Sequence, residues 1–424
     1  MMERRSGETS RREWAREFEV EGHLIDSMIL SRIFDRIMDL GGDFEVLEFR
    51  IGKRKTDYSY ARLVVKARDE RHLEILTKEL HALGAVPTRY EEPILVPAPR
   101  DSVAPDGFYV TTNHPTYVYL KGKWVEVENI EMDKVIVVSP DKTRAVCKKL
   151  RDIKKGDLIV VGERGVKVKP PERPREGVGV FEFMSSKTSS EKPAAAIIKS
   201  IARDIHSIKK RGGKVVVVAG PAVVHTGAAP YLAKIIAMGY VDVLLTGNAL
   251  AVHDIEYALF GTSLGVRVDN GQPVPGGNRN HIAAINEVYK AGSIKRMVEL
   301  GILKSGIMYE CIKRDVPFVL AGSIRDDGPL PEVITDVVKA QDEYRKHLKG
   351  ADLVLMLGTM LHSIAAGNML PSTVKVVCVD INPAVVIKLM DRGTAQAVGV
   401  ISDIGAFLPL LASELEKLNK YGES

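Results

Sequence analysis

The sequence predicts an α/β protein whose C-terminal part is built on a parallel β-sheet and is preceded by two smaller modules. Residues 215–218 are four consecutive valines, a run typical of a strand that is covered on both faces. A glycine-containing loop follows, Pro230 begins a helix, and a second apolar run occupies residues 241–246. Because buried strands alternate with helices over this stretch, we expect parallel pairing.

The first predicted module covers residues 17–97 and has the order βαββαβ of a ferredoxin-like α+β fold. Apolar residues follow helical spacing over 28–38, where Gly41 and Gly42 end the helix. The remaining predicted elements are a short first strand through Leu24 and Ile25, strands at 44–51 and 58–67, a helix at 70–83 and a last strand at 93–96.

The second predicted module, residues 98–170, is a small β-rich and barrel-like unit. Short β-rich runs at 108–110, 117–120, 134–138 and 158–161 are separated by glycines and prolines. We expect Trp124 to lie in its core. The proline-rich segment 170–175 predicts a linker, and residues 171–424 are assigned to one α/β domain.

Composition narrows the class of protein. The 424 residues are 45% hydrophobic, which is enough for two or three domains with separate cores. A net charge of +5 and 6% aromatic residues do not indicate an extended nucleic-acid surface. No apolar run predicts a membrane span, and three widely spaced cysteines favour a reducing compartment. We therefore expect a cytoplasmic protein without nucleic-acid or membrane partners.

The loop after the valine strand is a candidate ligand site. Gly220, Pro221 and Ala222 are followed by Gly227, and small residues here allow backbone N–H groups to approach a phosphate closely. The loop matches neither the Gly-x-Gly-x-x-Gly pattern nor a phosphate loop with Gly-Lys-Ser/Thr. A tight turn without a ligand therefore remains an alternative.

Polar residues also follow the other predicted strands, where ligands collect in open α/β sheets. Asp380 ends a strand and is suited to hold ribose hydroxyls, whereas Asp403 could equally be an ordinary helix cap. Arg279 and His281 precede a helix, where they could hold a carboxylate or a phosphate. Further polar candidates near the ends of predicted strands are Asn248, Asp254, Glu256, Arg325, Asp326, Asp327, Thr359 and His362.

Several longer motifs occur together: EGHLID at 21–26, FMSS at 183–186, AGPAVVHTG at 219–227, GNALAVHDIE at 247–256, AGSIRDDGPLP at 321–331, MLHS at 360–363 and CVDINP at 378–383. With these motifs the chain closely resembles the archaeal-type, NAD-dependent ornithine cyclodeaminases, from about residue 18 onward. Their N-terminal region also occurs in proteins described as lysine-ketoglutarate reductase/saccharopine dehydrogenase-like. More distantly, Gly358 to Leu361 followed by a strand ending in Asp380 resembles the NAD-binding half of deoxyhypusine synthases and sirtuins.

The resemblance implies conversion of L-ornithine to L-proline and ammonia, with NAD taking a hydride and returning it. It implies NAD contacts at Gly220, Pro221, Ala222, Asn248, Ala249, Asp326, Thr359, Met360, Leu361, His362, Asp380, Asp403 and Ile404. The predicted catalytic residues are Asp254, Arg279, His281 and Asp327.

Alternatives stay open for each role. Arg279 or Arg325 could bind the substrate carboxylate, and Asp254, Glu256, Asp326 or Asp327 could bind its ammonium group. The proton carrier could be His225, His253 or His281, since imidazole titrates near neutral pH. No ligand spacing predicts a metal site.

The resemblance also implies a homodimer or homotetramer. Three other functions remain possible: an NAD-dependent dehydrogenase, a transferase of the deoxyhypusine synthase kind with Lys304 as nucleophile, and a non-catalytic sensor of amino acid and NAD.

Overall fold

The computed structural model describes residues 14–25, 28–53, 57–169, 180–182, 191–274, 277, 280–326, 328–391 and 397–421. The predicted linker at 170–175 lies outside them. The chain divides into two compact units, Met1–Glu176 and Gly177–Ser424. None of the helices among the described residues is both long and apolar enough to cross a membrane.

A four-stranded antiparallel sheet with two helices opens the first unit. Its elements are β1 (Trp14–Gly22), α1 (Ile29–Asp39), β2 (Asp43–Arg50), β3 (Ser59–Ala67), α2 (Glu70–Ala82) and β4 (Val86–Pro87). The strand order is β2-β3-β1-β4, and along the chain the elements follow one another in the order βαββαβ. Phe18, Ile33 and Leu63 are fully buried between the sheet and the helices.

The structure corrects two predicted strands of this module: where the first one ends and which segment forms the last one. β1 ends at Gly22, and Leu24 packs into the core from a turn rather than from a strand. The predicted last strand at 93–96 belongs to the second sheet, and the short β4 takes its place at the edge beside β1. An apolar run shows that a segment pairs but not which sheet it joins, because the partner is distant in sequence.

The second sheet has seven described strands in the order β11-β6-β7-β9-β8-β10-β5. Its strands are β5 (Ile94–Pro97), β6 (Thr116–Leu120), β7 (Lys123–Glu128), β8 (Val135–Val138), β9 (Ala145–Lys148), β10 (Leu158–Val161) and β11 (Val166–Val168), with a 3₁₀ turn at Leu150–Asp152. Strands β6, β8 and β10 overlap the apolar runs noted in the sequence at 117–120, 134–138 and 158–161. The run at 108–110 forms no strand, since Phe108 and Val110 make only single bridges.

The second unit is a parallel sheet covered by helices. Its elements are β12 (Val180–Glu182), α3 (Glu191–Lys210), β13 (Val215–Ala219), α4 (Ala222–His225), α5 (Ala229–Ala237), β14 (Val243–Gly247), α6 (Asn248–Phe260), β15 (Thr262–Ser263), β16 (Val266–Arg267), α7 (Asn280–Ala291), α8 (Ile294–Glu299), α9 (Ile307–Lys313), β17 (Phe318–Ala321), β18 (Val333–Ile334), α10 (Val337–Leu348), β19 (Leu353–Leu357), α11 (Met360–Met369), β20 (Lys375–Asp380), α12 (Pro383–Asp391), β21 (Ala397–Ile401) and α13 (Ile404–Tyr421).

The strand order β12-β21-β20-β19-β13-β14-β17-β18 is parallel throughout, which confirms the predicted α/β class. Val215 and Val217 face one apolar core and Val216 and Val218 face another, so the valine run is buried on both sides. The chain proceeds outward from β13 in one direction and from β19 in the other. This reversal creates a crevice at the carboxyl ends of the two strands.

Candidate active site

The loops after β13 and β19 approach each other at the crevice. A Cβ atom at Gly220 would lie 2.3 Å from the Gly358 carbonyl oxygen and 2.8 Å from Thr359 Cβ. Gly358 has φ +57°, and a Cβ atom there would lie 2.9 Å from Ala222 Cβ and 3.4 Å from Ile404 Cγ1. Only glycine fits either position. The structure therefore brings the predicted cofactor residues of three loops together.

Two acids end the neighbouring strands. Asp380 is 8% exposed, and its Oδ1 accepts a hydrogen bond from the Asn382 N–H at 2.8 Å. Burial raises the pKa of Asp380, although the backbone N–H groups of Asn382 and Ile381 act in the opposite direction. Asp403 Oδ1 accepts the Gly405 N–H at 2.5 Å, so this acid also caps the start of α13.

Other predicted cofactor residues are placed differently. Asn248 is buried, and its Oδ1 accepts the Leu330 N–H at 3.1 Å. Asp326 accepts the Ser323 N–H at 2.8 Å within its own loop. Leu361 is 77% exposed. The His362 ring lies so close to Gly247 that a Cβ atom there would be 2.8 Å from its Cε1, and burial lowers the pKa of His362.

Three histidines from separate segments form a cluster. The ring centroids of His225 and His253 are 4.8 Å apart, and those of His253 and His281 are 6.3 Å apart. The His225 Nδ1 atom lies 2.7 Å from the Ser263 hydroxyl. Burial removes hydration and is the main reason why the pKa of His225 is lowered. The adjacent His253 lowers this pKa further. All three sequence candidates for the proton carrier are therefore adjacent.

The carboxylate of Glu256 holds the ring of His253 in place. It has no exposed surface, and its Oε2 lies 2.9 Å from His253 Nδ1. Its Oε1 accepts the Thr262 hydroxyl at 2.8 Å and the Gly265 N–H at 3.1 Å. Burial acts to raise the pKa of Glu256, but the hydrogen bonds from His253, Gly265 and Thr262 outweigh it and lower the pKa. Its oxygens are thus occupied by protein donors.

Asp254 also points into the protein. Its Oδ1 accepts the Ile307 N–H at 2.9 Å and its Oδ2 accepts the Met308 N–H at 2.8 Å. It has no exposed surface, and burial raises its pKa to about 6. Asp254 therefore caps the start of α9. The contacts that Asp254 makes with described residues are those of a helix cap, and its predicted catalytic role stays a prediction.

The remaining candidates are only partly placed. Arg279 and Asp327 lie outside the described residues, whereas Arg325 is exposed in the loop after β17. Among the described residues there is no group of three or more His, Cys, Asp or Glu that could hold a metal ion. Sequence reasoning missed Thr262, Ser263 and Gly265, since their contacts with Glu256 and His225 arise only when the β15–β16 hairpin folds against α6.

Comparison with known proteins identifies related chains. Family models match residues 199–411 (arginine dihydrolase ArgZ-like, C-terminal, Rossmann fold), 115–198 (the first region of the same C-terminal part) and 15–114 (the LOR/SDH bifunctional enzyme conserved region). The ornithine cyclodeaminase of Methanocaldococcus jannaschii is 62% identical over 96% of this chain and 97% of its own.

Two solved structures of related proteins are also similar to this chain. A conserved LOR/SDH protein from Methanococcus maripaludis is 55% identical with a TM-score of 0.72, covering 78% of this chain and 99% of its own. AgrE in ternary complex with ornithine and NAD+ is 47% identical with a TM-score of 0.52, covering 96% of this chain and 59% of its own. The family models and the identity over nearly the whole chain show that the protein belongs to the archaeal-type ornithine cyclodeaminase family.

Proposed function

We propose that the protein converts L-ornithine to L-proline and ammonia with NAD as a resident cofactor. The observation that supports this most directly is the meeting of Gly220 with Gly358 and Thr359 at the switch point of the sheet, beside the histidine cluster. The relatives support the substrate, since the Methanocaldococcus jannaschii protein is named ornithine cyclodeaminase and the AgrE complex contains ornithine and NAD+.

The residues at the crevice fit a dinucleotide. Glycines at 220 and 358 let the loops after β13 and β19 pack closely against each other at the switch point, where open α/β sheets bind dinucleotides. Asp380 is an acid at a strand end, where ribose hydroxyls are commonly bound. The other predicted cofactor residues remain part of this proposal: Pro221, Ala222, Asn248, Ala249, Asp326, Thr359, Met360, Leu361, His362, Asp403 and Ile404. Bound NAD supplies a hydride acceptor that becomes the donor later in the same turnover.

The remaining roles are binding of the substrate carboxylate, binding of its distal ammonium group and proton transfer. We assign the substrate carboxylate to Arg279 or Arg325 and the distal ammonium group to Asp326 or Asp327. His253, held by Glu256, or His281 would carry the proton that leaves and returns as the ring closes. Because Nδ1 of His253 faces the Glu256 carboxylate, Nδ1 carries a proton and Nε2 is left as the exchanging atom. In this scheme Asp254 has a structural role, because it caps the start of α9.

Three further proposals concern the type of the parallel sheet, the oligomeric state and the cellular location. The parallel sheet would be of the deoxyhypusine synthase-like type, because it lacks the usual glycine fingerprint yet has glycines at the switch point. The protein would assemble as a homodimer or homotetramer. A cytoplasmic location would agree with the free cysteines Cys147, Cys311 and Cys378.

The test is incubation of the purified protein with L-ornithine, with and without added NAD, while proline and ammonia are measured together. We expect equal amounts of both products and no net NADH. Mass spectrometry of the small molecule released on denaturation identifies any resident cofactor. Ammonia without proline would indicate a dehydrogenase, and binding of ornithine and NAD without either product would indicate a sensor. Turnover by a preparation that contains and binds no dinucleotide would refute the proposal.

A further inference from the structure

A groove within the first unit is not used by the proposed reaction. It has a volume of about 1150 Å³ and lies between the outer face of α2, the edge strand β4 and residues of the seven-stranded sheet. A buried hydrogen bond joins its two walls, since His81 Nε2 of α2 lies 2.9 Å from the Val166 carbonyl oxygen of β11. The groove is therefore a fixed feature of this unit.

One wall is aromatic. Tyr90 and Trp124 line the groove with ring centroids 5.3 Å apart, and Tyr119 packs against both, at 5.5 Å from Tyr90 and 5.2 Å from Trp124. The Tyr90 hydroxyl donates to Glu19, which holds the ring in place. Tyr90 is nevertheless 41% exposed, and Trp124 is only partly buried rather than in the core as the sequence predicts. A fixed, accessible aromatic wall favours a flat ring as ligand.

Cationic side chains also line the groove. Arg71 and Lys78 are seven residues apart on α2, so they share one face and stand about 10 Å apart along the helix. Arg89 follows β4. All three are exposed, and none has a carboxylate partner among the described residues. Unpaired cations spread over this distance suit more than one phosphate group.

The acids of the groove do not cancel this charge. Glu17 pairs with Arg62 and Glu91 with Arg164, at 3.1 Å in each case. Glu74 and Glu163 are the other acids that line the groove, against Arg71, Lys78, Arg89 and Arg16, and the last of these donates to Thr77. An excess of positive charge therefore faces the opening.

We propose that this groove is a second ligand site, for a nucleoside polyphosphate, whose phosphates pair with Arg71, Lys78 and Arg89. The planes of Tyr90 and Trp124 are 77° apart, so the base stacks on one of these two rings and packs edge-on against the other. All the residues that line the groove belong to the first unit, and the proposal does not depend on the reaction proposed for the second unit. Exposed ion pairs are individually weak, so binding in the micromolar to millimolar range is expected.

Trp124 provides the readout. The protein has two tryptophans, Trp14 and Trp124, so a full-length Trp14→Phe variant reports on the groove alone. The variant is saturated with NAD, so that ATP cannot act through the cofactor crevice, and is then titrated with ATP. We expect saturable quenching of Trp124, with adenosine and inorganic tripolyphosphate each binding at least about tenfold more weakly because each lacks one half of the recognition.

Charge variants complete the test. Arg71→Ala with Arg89→Ala should raise the dissociation constant for ATP at least about tenfold, and Lys78→Ala alone about threefold. Arg32→Ala, which removes an exposed arginine of α1 outside the groove, should leave it unchanged. Ornithine turnover in each variant verifies folding. Absence of quenching at millimolar ATP, equal binding of tripolyphosphate, or equal loss in Arg32→Ala would overturn the proposal.

Discussion

Glu256 illustrates how a single buried carboxylate can organise a site. Its hydrogen bonds to His253, Thr262 and Gly265 join a helix to the hairpin that follows it. Glu256→Gln keeps the size but directs an amide N–H at one of these donors, and it removes the negative charge beside His253. We expect kcat for proline formation to fall about 100-fold, the lower end of what positioned proton transfer contributes.

The KM for ornithine should change by less than about threefold, because Glu256 has no surface to offer the substrate. Glu256→Asp should restore part of kcat, since the charge returns. The matched control is Glu287→Gln on α7, which removes only the pair with Lys290. If Glu256→Gln instead raises KM with kcat intact, the carboxylate contacts the substrate and its assignment to positioning is wrong.

Gly220 allows a second test at the same scale. In Gly220→Ala the new methyl group meets the backbone oxygen of Gly358, which cannot rotate away. The two loops must separate, and the dissociation constant for NAD should rise at least about tenfold, as measured by calorimetry. In Gly213→Ala, which precedes β13 at the end opposite the crevice, the new methyl group meets the side chains of Ile208 and Asp352, so a change below about threefold is expected. Equal effects would mean that the loop contact does not shape the cofactor site.

The roles of some of these residues can be predicted from the sequence, whereas the roles of others cannot. Gly220 and Asp380 are predictable, because a glycine after a strand and an acid at a strand end have local meanings. Asp254 was predicted to be catalytic, yet its oxygens bind N–H groups of α9 some fifty residues later. A polar residue on a helix facing a crevice and one facing a neighbouring helix look the same in sequence. Only the packing separates them.

At the level of elements, Asp254 makes α9 sensitive to pH. Burial raises the pKa of Asp254 to about 6, above its value in an unfolded chain. The folded protein therefore binds more protons between these two values, and stability falls as pH rises through the interval. The difference corresponds to about 3 kcal/mol, lost between about pH 4 and pH 6.

Urea unfolding at a series of pH values tests this. The difference in unfolding free energy between the native protein and Asp254→Asn should shift by about 3 kcal/mol over that interval, because the amide does not titrate. Asp336→Asn is the control, since Asp336 caps α10 from an exposed position. A pH-independent difference would show that Asp254 titrates as it does in an unfolded chain.

Sheet pairing shows where prediction of elements stops. The order βαββαβ and the parallel sheet follow from periodicity, because strand and helix patterns differ in repeat. The assignment of residues 93–96 to the first sheet failed, since an apolar strand pairs with whichever edge lies nearest after folding. Here that edge is β10, more than sixty residues away.

For the whole molecule, the two units have separate hydrophobic cores. NAD that binds only in the crevice should therefore stabilise only the second unit. At a free concentration of about 100 times the dissociation constant, the gain is about 2.7 kcal/mol, or about 100-fold slower exchange for amides that open by global unfolding of the unit. Hydrogen exchange with mass spectrometry should show this in β13, β19 and β20.

The strands β1 and β3 of the first unit serve as the internal reference, and their exchange should not change on addition of NAD. Asp380→Ala provides the matched protein, because it weakens the cofactor contact and leaves the cores intact; at the same NAD concentration its β13 and β19 should gain less protection. Equal protection of β1 and β13 in the native protein would mean that the two units unfold together. In that event cofactor binding would be coupled to the four-stranded sheet, and the two units could not be treated as independent.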